Sequence, residues 1–183
     1  MPIDRSRLLT PAEVDRLLRE AGKDVLLVDV GAPDRYARAH LPGAVLVTPL
    51  ELVSGMPPAT GRLPELDRLQ ELFDRLGLGE DTIVVAYDEE GGGWAGRFIW
   101  TLEAVGHERW RCLDGGIHAW QADGLPLSTE LPERPAGCRP LARNEAVIAE
   151  AEDVLAASET GSAQIWDARS REEYTGARLA AAR

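Results

Sequence analysis

Short runs of consecutive apolar residues, alternating with stretches of helical periodicity, restrict this chain more than any other feature. Val25-Leu26-Leu27-Val28-Asp29-Val30, Ala44-Val45-Leu46-Val47, Thr82-Ile83-Val84-Val85-Ala86-Tyr87 and Arg109 to Leu113 are the runs. Runs of this length without polar alternation suit strands covered on both faces. A helix precedes the first: Thr10-Pro11-Ala12-Glu13 is a capping box with proline at the first helical position. Val14, Leu17 and Leu18 give it one apolar stripe, and Gly22 stops it. Leu66, Leu69, Leu72, Phe73 and Leu76 form a second stripe ended by Gly77, and Ala95, Phe98, Ile99, Leu102 and Val105 a third ended by Gly106. After the fourth run, Asp114-Gly115-Gly116 turns the chain into a short helix through Trp120 that closes near Gly124. Strands alternating with helices predict an α/β domain over residues 1–130, an open parallel sheet with helices on both faces.

Residues 131–143 change character. Pro132, Pro135, Gly137 and Pro140, with no periodic apolar pattern, read as a linker. Beyond it the chain begins to repeat itself. An offset of 138 residues sets Leu27-Val28-Asp29-Val30 on Ile165-Trp166-Asp167-Ala168, and Asp34-Arg35-Tyr36 on Glu172-Glu173-Tyr174. Upstream, Asp15 and Leu17 meet Asp153 and Leu155. A repeat of that length is too long for a solenoid and indicates a duplicated domain. Residues 144–183 then read as the N-terminal part of a second copy: a helix over Glu150 to Ala157, a strand over Gln164 to Ala168, and the start of the next loop. A complete copy would extend to about position 266. Some forty residues with one helix and one strand cannot bury a core, so Ile165 and Trp166 are expected to need a partner.

Composition removes several function classes. Twenty basic against 31 acidic side chains give a net charge of −11, which argues against nucleic acid or an anionic membrane surface as partner. No apolar run approaches the length of a membrane span. The opening Met-Pro-Ile-Asp-Arg has no signal-peptide core, so a cytoplasmic protein is the expectation. Two cysteines, Cys112 and Cys138, make neither a disulfide framework nor a metal cluster, and neither a cofactor nor a metal is expected.

Chemistry in an open parallel sheet belongs at the carboxyl ends of the strands. There, Tyr87 feeds Asp88-Glu89-Glu90-Gly91-Gly92-Gly93-Trp94 and then a helix. Three glycines before a helix let backbone N–H groups converge into an anion cradle, yet three carboxylates crowd the same loop and would repel an anion. Such a site would need another positive charge, and Arg97 is the nearest in sequence. Residue chemistry alone leaves two readings, a catalytic-type loop stripped of its chemistry or an acidic connection. Cys112, inside a buried strand, behaves as a small hydrophobe, and Cys138, in the linker beside Arg139, cannot be preorganised. His40, His107 and His118 lack ligand spacing and read as structural, and adjacent Glu89 and Glu90 would diverge. Trp94 is either packing or a surface facing a neighbouring domain.

Asp29 with Tyr36-Ala37-Arg38-Ala39-His40-Leu41-Pro42-Gly43-Ala44, then Val84-Val85-Ala86-Tyr87-Asp88, then Leu113-Asp114-Gly115-Gly116 through Ala119-Trp120, resembles the rhodanese fold. More closely, Tyr87 through Trp100 and Ile165-Trp166-Asp167-Ala168-Arg169-Ser170 with Glu173-Tyr174 resemble bacterial tandem-domain thiosulfate sulfurtransferases. The resemblance implies that a cysteine thiolate in the second domain takes the sulfane sulfur of thiosulfate and passes it, as a persulfide, to cyanide or a thiol. It implies that Asp88 occupies the nucleophile's place in the first copy, which is then the inactive one, the second-copy counterpart falling past Arg183. No catalytic residue is therefore expected in this chain, and a rhodanese-related phosphatase is disfavoured for want of the same cysteine. Arg169 would line the second domain's crevice, unless it simply pairs with Glu172 or Glu173. The implied partners are the chain's own C-terminal rhodanese domain, thiosulfate and a thiol or cyanide acceptor, with no nucleic acid and no membrane. The alternative is a non-catalytic rhodanese-like interaction or regulatory module.

Overall fold

The computed structural model describes residues 7–178 except 135, 138 and 139. Five parallel strands form one sheet in the order β1-β5-β4-β2-β3: β1 (Leu8–Leu9), β2 (Val25–Val30), β3 (Val45–Val47), β4 (Ile83–Tyr87) and β5 (Trp110–Leu113). The described residues also form seven α-helices: α1 (Pro11–Ala21), α2 (Pro33–Arg38), α3 (Leu66–Leu76), α4 (Gly93–Ala104) and α5 (Gly116–Ala122) up to residue 144, and α6 (Ala151–Thr160) and α7 (Arg171–Tyr174) beyond it. The chain divides into two compact units, one up to Asn144 and one from Glu145.

Alternation of side chains along a strand sorts the first unit's core into two layers. Leu26, Val28 and Val30 of β2, with Val84 and Ala86 of β4, pack on Leu69, Leu72, Phe73 and Leu76 of α3 and Phe98 and Leu102 of α4. Val25 and Leu27 of β2, with Val85 and Tyr87 of β4, face the other way onto Val14 of α1 and Ile117 and Trp120 of α5. Each fully buried Leu or Phe contributes roughly 1.5–3 kcal/mol over an exposed one. The expected α/β sheet with helices on both faces is therefore present, and β2 lies between β4 and β3 with Leu27 opposite Val85 and Asp29 opposite Leu46.

The described residues of the stretch expected to be a linker, 131–143, are irregular but anchored. Arg134 Nη1 donates to the Val25 carbonyl at 3.1 Å, Gly137 N to Asp74 O at 2.8 Å, and Leu141 N to Gln70 Oε1 at 2.9 Å. Leu141 is buried in the α3–α4 layer, and Asn144 N closes on Ala104 O at 2.8 Å. One apolar residue without periodic neighbours gives no sequence signal, and its burial adds to these hydrogen bonds in holding the segment on the first unit.

In the second unit, α6 begins where Glu150 N donates to Asp153 Oδ2 at 2.9 Å, and α7 is capped by Ser170 with Glu173. The expected strand at Gln164 to Ala168 is not formed. Those residues adopt no regular structure, with Ile165 56% and Trp166 87% exposed. A strand exists through hydrogen bonds to a neighbour, and the described residues of this unit supply none.

Candidate functional site

The carboxyl ends of β2, β3 and β4 open onto a crevice of about 330 Å³, walled by Pro33, Pro49, Leu50 and Trp94, floored by Gly31, and rimmed by Glu89 and Glu90. The loop after β4 forms one side. Its cradle exists, and it is already full. Asp88, only 2% exposed, turns its carboxylate into its own loop. Oδ1 accepts from the N–H groups of Glu90 at 3.0 Å and Gly92 at 2.8 Å. Oδ2 accepts from Trp94 at 2.9 Å and Ala95 at 3.0 Å, in the first turn of α4. Gly91 and Gly92 carry φ of 85° and 96°, a region in which a side chain is strained, and this curvature brings the four donors together.

The turn before α5 fixes the loop from behind. Ile117 N donates to Asp88 O at 3.1 Å, and a Cβ on Gly116 would stand 2.2 Å from that oxygen. The Asp114-Gly115-Gly116 motif thus clamps the first residue of the loop. His118 Nε2 lies 3.2 Å from Glu89 O.

A parallel sheet in this strand order, with an anion cradle after β4 closed by an Asp-Gly-Gly turn after β5, agrees with a match of the rhodanese-like domain family to residues 10–123. The chain belongs to this family. It is 40% identical over 176 residues to a thiosulfate sulfurtransferase of Azotobacter vinelandii, covering 96% of this chain and 64% of that protein. A thiosulfate sulfurtransferase of Pseudomonas aeruginosa is 40% identical over 165 residues, covering 90% and 61%. Among solved structures, the Escherichia coli 3-mercaptopyruvate sulfotransferase SseA superposes with a TM-score of 0.82 at 27% identity, covering 92% of this chain and 67% of that one. The chain spans less than two thirds of the length of these two curated relatives.

Within this rhodanese-like unit, a second charged group lies beside the loop. Asp29, fully buried at the end of β2, is gripped by both terminal nitrogens of Arg35 from α2, with Arg35 Nη1 2.5 Å from Oδ2. Burial works against the Arg35 charge, but the hydrogen bonds and charge of Asp29, with Glu89 adding, hold its pKa above the ordinary guanidinium value. Arg35 Nε is 3.4 Å from Glu89 Oε1, so one guanidinium joins the end of β2 to the loop after β4. Glu90, by contrast, is exposed.

Arg97, the sequence candidate for an anion-binding charge, points elsewhere. Its Nε and Nη2 donate to the Leu52 carbonyl at 3.1 and 2.8 Å, and Nη2 also to Gly61 O at 2.9 Å. The guanidinium stacks 4.7 Å above the Trp100 ring. A position one helical turn inside α4 faces α4's own neighbours, and here Arg97 clamps the 52–61 segment. Trp94 packs on the α3–α4 core layer while lining the crevice.

Cys112 lies in β5, and burial, with Asp88 and Asp114 adding, pushes its thiol up to about 11. At neutral pH it is protonated and a poor nucleophile. Cys138 lies outside the described residues. His40 stacks on Tyr36 at 3.9 Å and places Nδ1 2.8 Å from Tyr36 O and Nε2 3.0 Å from Glu130 O, and His107 Nε2 is 3.0 Å from Thr82 O. Arg169 pairs with neither Glu172 nor Glu173. It folds back on Asp167, with Nε 2.9 Å from each carboxylate oxygen, and this bonding draws the Asp167 carboxyl down to about 2. Glu173 is instead engaged in capping α7 at Ser170. Sequence reasoning missed the Asp29–Arg35 grip, because a six-residue separation across a strand–helix junction matches no regular periodicity.

Proposed function

We propose that the whole protein is a tandem-domain sulfurtransferase in which residues 1–130 form the non-catalytic copy and residues from 144 onward begin the catalytic one. In this reading, a cysteine thiolate in the completed second copy attacks the sulfane sulfur of thiosulfate, forming a persulfide as the S–S bond breaks and sulfite leaves. It then hands that sulfur to cyanide or another thiol, and the protein works in the cytoplasm. Among the described residues, no helix is long and apolar enough to cross a membrane.

One observation carries the reading. The backbone N–H groups that would stabilise a thiolate, a persulfide and an anionic donor are all directed at the carboxylate of Asp88. A carboxylate cannot form a persulfide, and its fixed charge opposes an incoming anion. The protonated thiol of Cys112 offers no substitute. The first unit keeps the architecture of sulfur transfer while its chemistry is blocked.

The test is a thiosulfate:cyanide assay run on the 183-residue chain and on a protein whose second copy is complete, with 3-mercaptopyruvate as a parallel donor. Thiocyanate formation by the longer protein only is the expected result. Turnover by the 183-residue chain would overturn the assignment of Asp88. Inactivity of both with either donor would favour the non-catalytic interaction module instead.

A further inference from the structure

The 138-residue offset sets Asp29 against Asp167, Gly31 against Arg169 and Arg35 against Glu173. In both units the aspartate is held by a guanidinium, but the arginine comes from a different position. In the second unit it is Arg169, two residues beyond Asp167. In the first unit, position 31 is glycine and the guanidinium arrives from Arg35, six residues beyond Asp29.

The space at Gly31 sets the two solutions in competition, since a side chain there can enter only if the Arg35 guanidinium moves off Asp29. A Cβ there would stand 2.4 Å from Arg35 Nη2, 3.4 Å from Arg35 Cζ and 3.5 Å from Asp29 Oδ1. Gly31 lies outside the left-handed region, so its missing side chain serves the guanidinium and not the backbone. The nitrogen it admits is the one that meets Asp29, and the same guanidinium reaches Glu89 with Nε. Gly31 is also part of the crevice floor.

We infer that Gly31 and Arg35 are an obligate pair, the product of an exchange of arginine between two positions, which commits the first unit's guanidinium to the chain's own carboxylates instead of to a ligand in the crevice. The N–H cradle is taken by Asp88, and both terminal nitrogens of the guanidinium by Asp29, while its buried Nε makes no hydrogen bond and is paired with Glu89 by charge alone at 3.4 Å. The inference rests on the repeat and the packing at Gly31, not on sulfur transfer, so the two stand or fall separately.

A double-mutant cycle in urea unfolding of the 183-residue chain tests the pair. Gly31→Ala should lower the folding equilibrium constant about tenfold or more, the usual size of an overpacking defect. Arg35→Ala alone would strand a buried carboxylate and risk unfolding, so the reference background is Asp29→Asn with Arg35→Ala. In that background Gly31→Ala should change the constant by less than about twofold. Equal losses in both backgrounds would overturn the pair. Arg35→Glu should unfold the unit, and adding Gly31→Arg, which reproduces the second unit's arrangement, should restore folding. Failure to restore it would overturn the exchange. Millimolar thiosulfate should leave the amide signals of Gly31 and of residues 89–95 unmoved, and saturable shifts there would refute the internal commitment of the guanidinium.

Discussion

Asp29 and Asp167 meet when the sequence is offset by 138 residues, and their surroundings could hardly differ more. Asp29 lies fully buried at the end of a strand flanked by β3 and β4. Asp167 follows a stretch without strand partners among the described residues, whose Trp166 is 87% exposed, and its carboxylate is held by Arg169 two residues away. The helices of the second unit contain no buried residue. The difference shows how little of a strand belongs to its own residues. Val28 and Trp166 occupy equivalent positions, but only Val28 has neighbouring strands to accept its backbone and helices to cover its side chain.

Several measurements would break or sharpen this contrast. The largest effect is expected where the first unit is most tightly built. Asp88→Ala leaves four converging N–H groups without their acceptor, and urea unfolding should register a loss of about 3 kcal/mol. A loss below about 1 kcal/mol would mean that water satisfies the loop as well as the carboxylate does. Leu141→Ala comes next. A cost of about 2–3 kcal/mol to the first unit is expected for a buried leucine, and a negligible cost would return residues 131–143 to the status of a free linker.

Cysteine chemistry gives a smaller effect with a definite sign. Because burial raises the Cys112 thiol to about 11 from its ordinary 9, the folded state holds this proton more tightly than the unfolded state. Its contribution to stability is complete below pH 9 and is lost as the pH climbs towards 11. Alkylation of Cys112 in the folded chain should stay slow through pH 8 and accelerate only above pH 10. Rapid labelling at pH 7 would contradict the raised pKa of this half-buried thiol. The smallest signal belongs to the second unit. Amides 164–168 should exchange with solvent at nearly the rate of an unstructured peptide, while amides 83–86 of β4 remain protected. Equal protection of the two stretches would erase the contrast.

Much of the first unit was legible because its strands are covered on both faces. Continuous apolar runs such as Val25–Val30 and stripes such as Leu69, Leu72, Phe73 and Leu76 carry their burial in their own pattern. The glycine loop after β4 was legible as an anion cradle for the same local reason, since glycines ahead of a helix dictate converging N–H groups. Its occupant was not. Three neighbouring carboxylates look alike in sequence, and only the curvature at Gly91 and Gly92 and the clamp at Gly116 turn Asp88 inward while Glu89 meets Arg35 and Glu90 faces solvent. The direction of Arg97 and the burial of Leu141 had no local signal, because each is decided by what lies across from it, the Leu52 carbonyl for one and the α3–α4 layer for the other. The two-residue β1 is too short to carry a pattern, and it is a strand only because Leu8 and Leu9 align with Cys112 and Leu113.

By itself, the sequence determined the α/β class, the two-faced helical cover and the placement of the glycine loop after a strand. These follow from periodicity and from backbone preferences that operate within a few residues. Only the tertiary structure decided that Asp88 fills its own cradle, that Arg35 serves Asp29 across the space left by Gly31, and that Gln164 to Ala168 is no strand here. Each of those outcomes depends on a partner distant in sequence or absent from the same unit. Hydrogen bonds and ion pairs are formed by positions in space, and a one-dimensional pattern does not contain them.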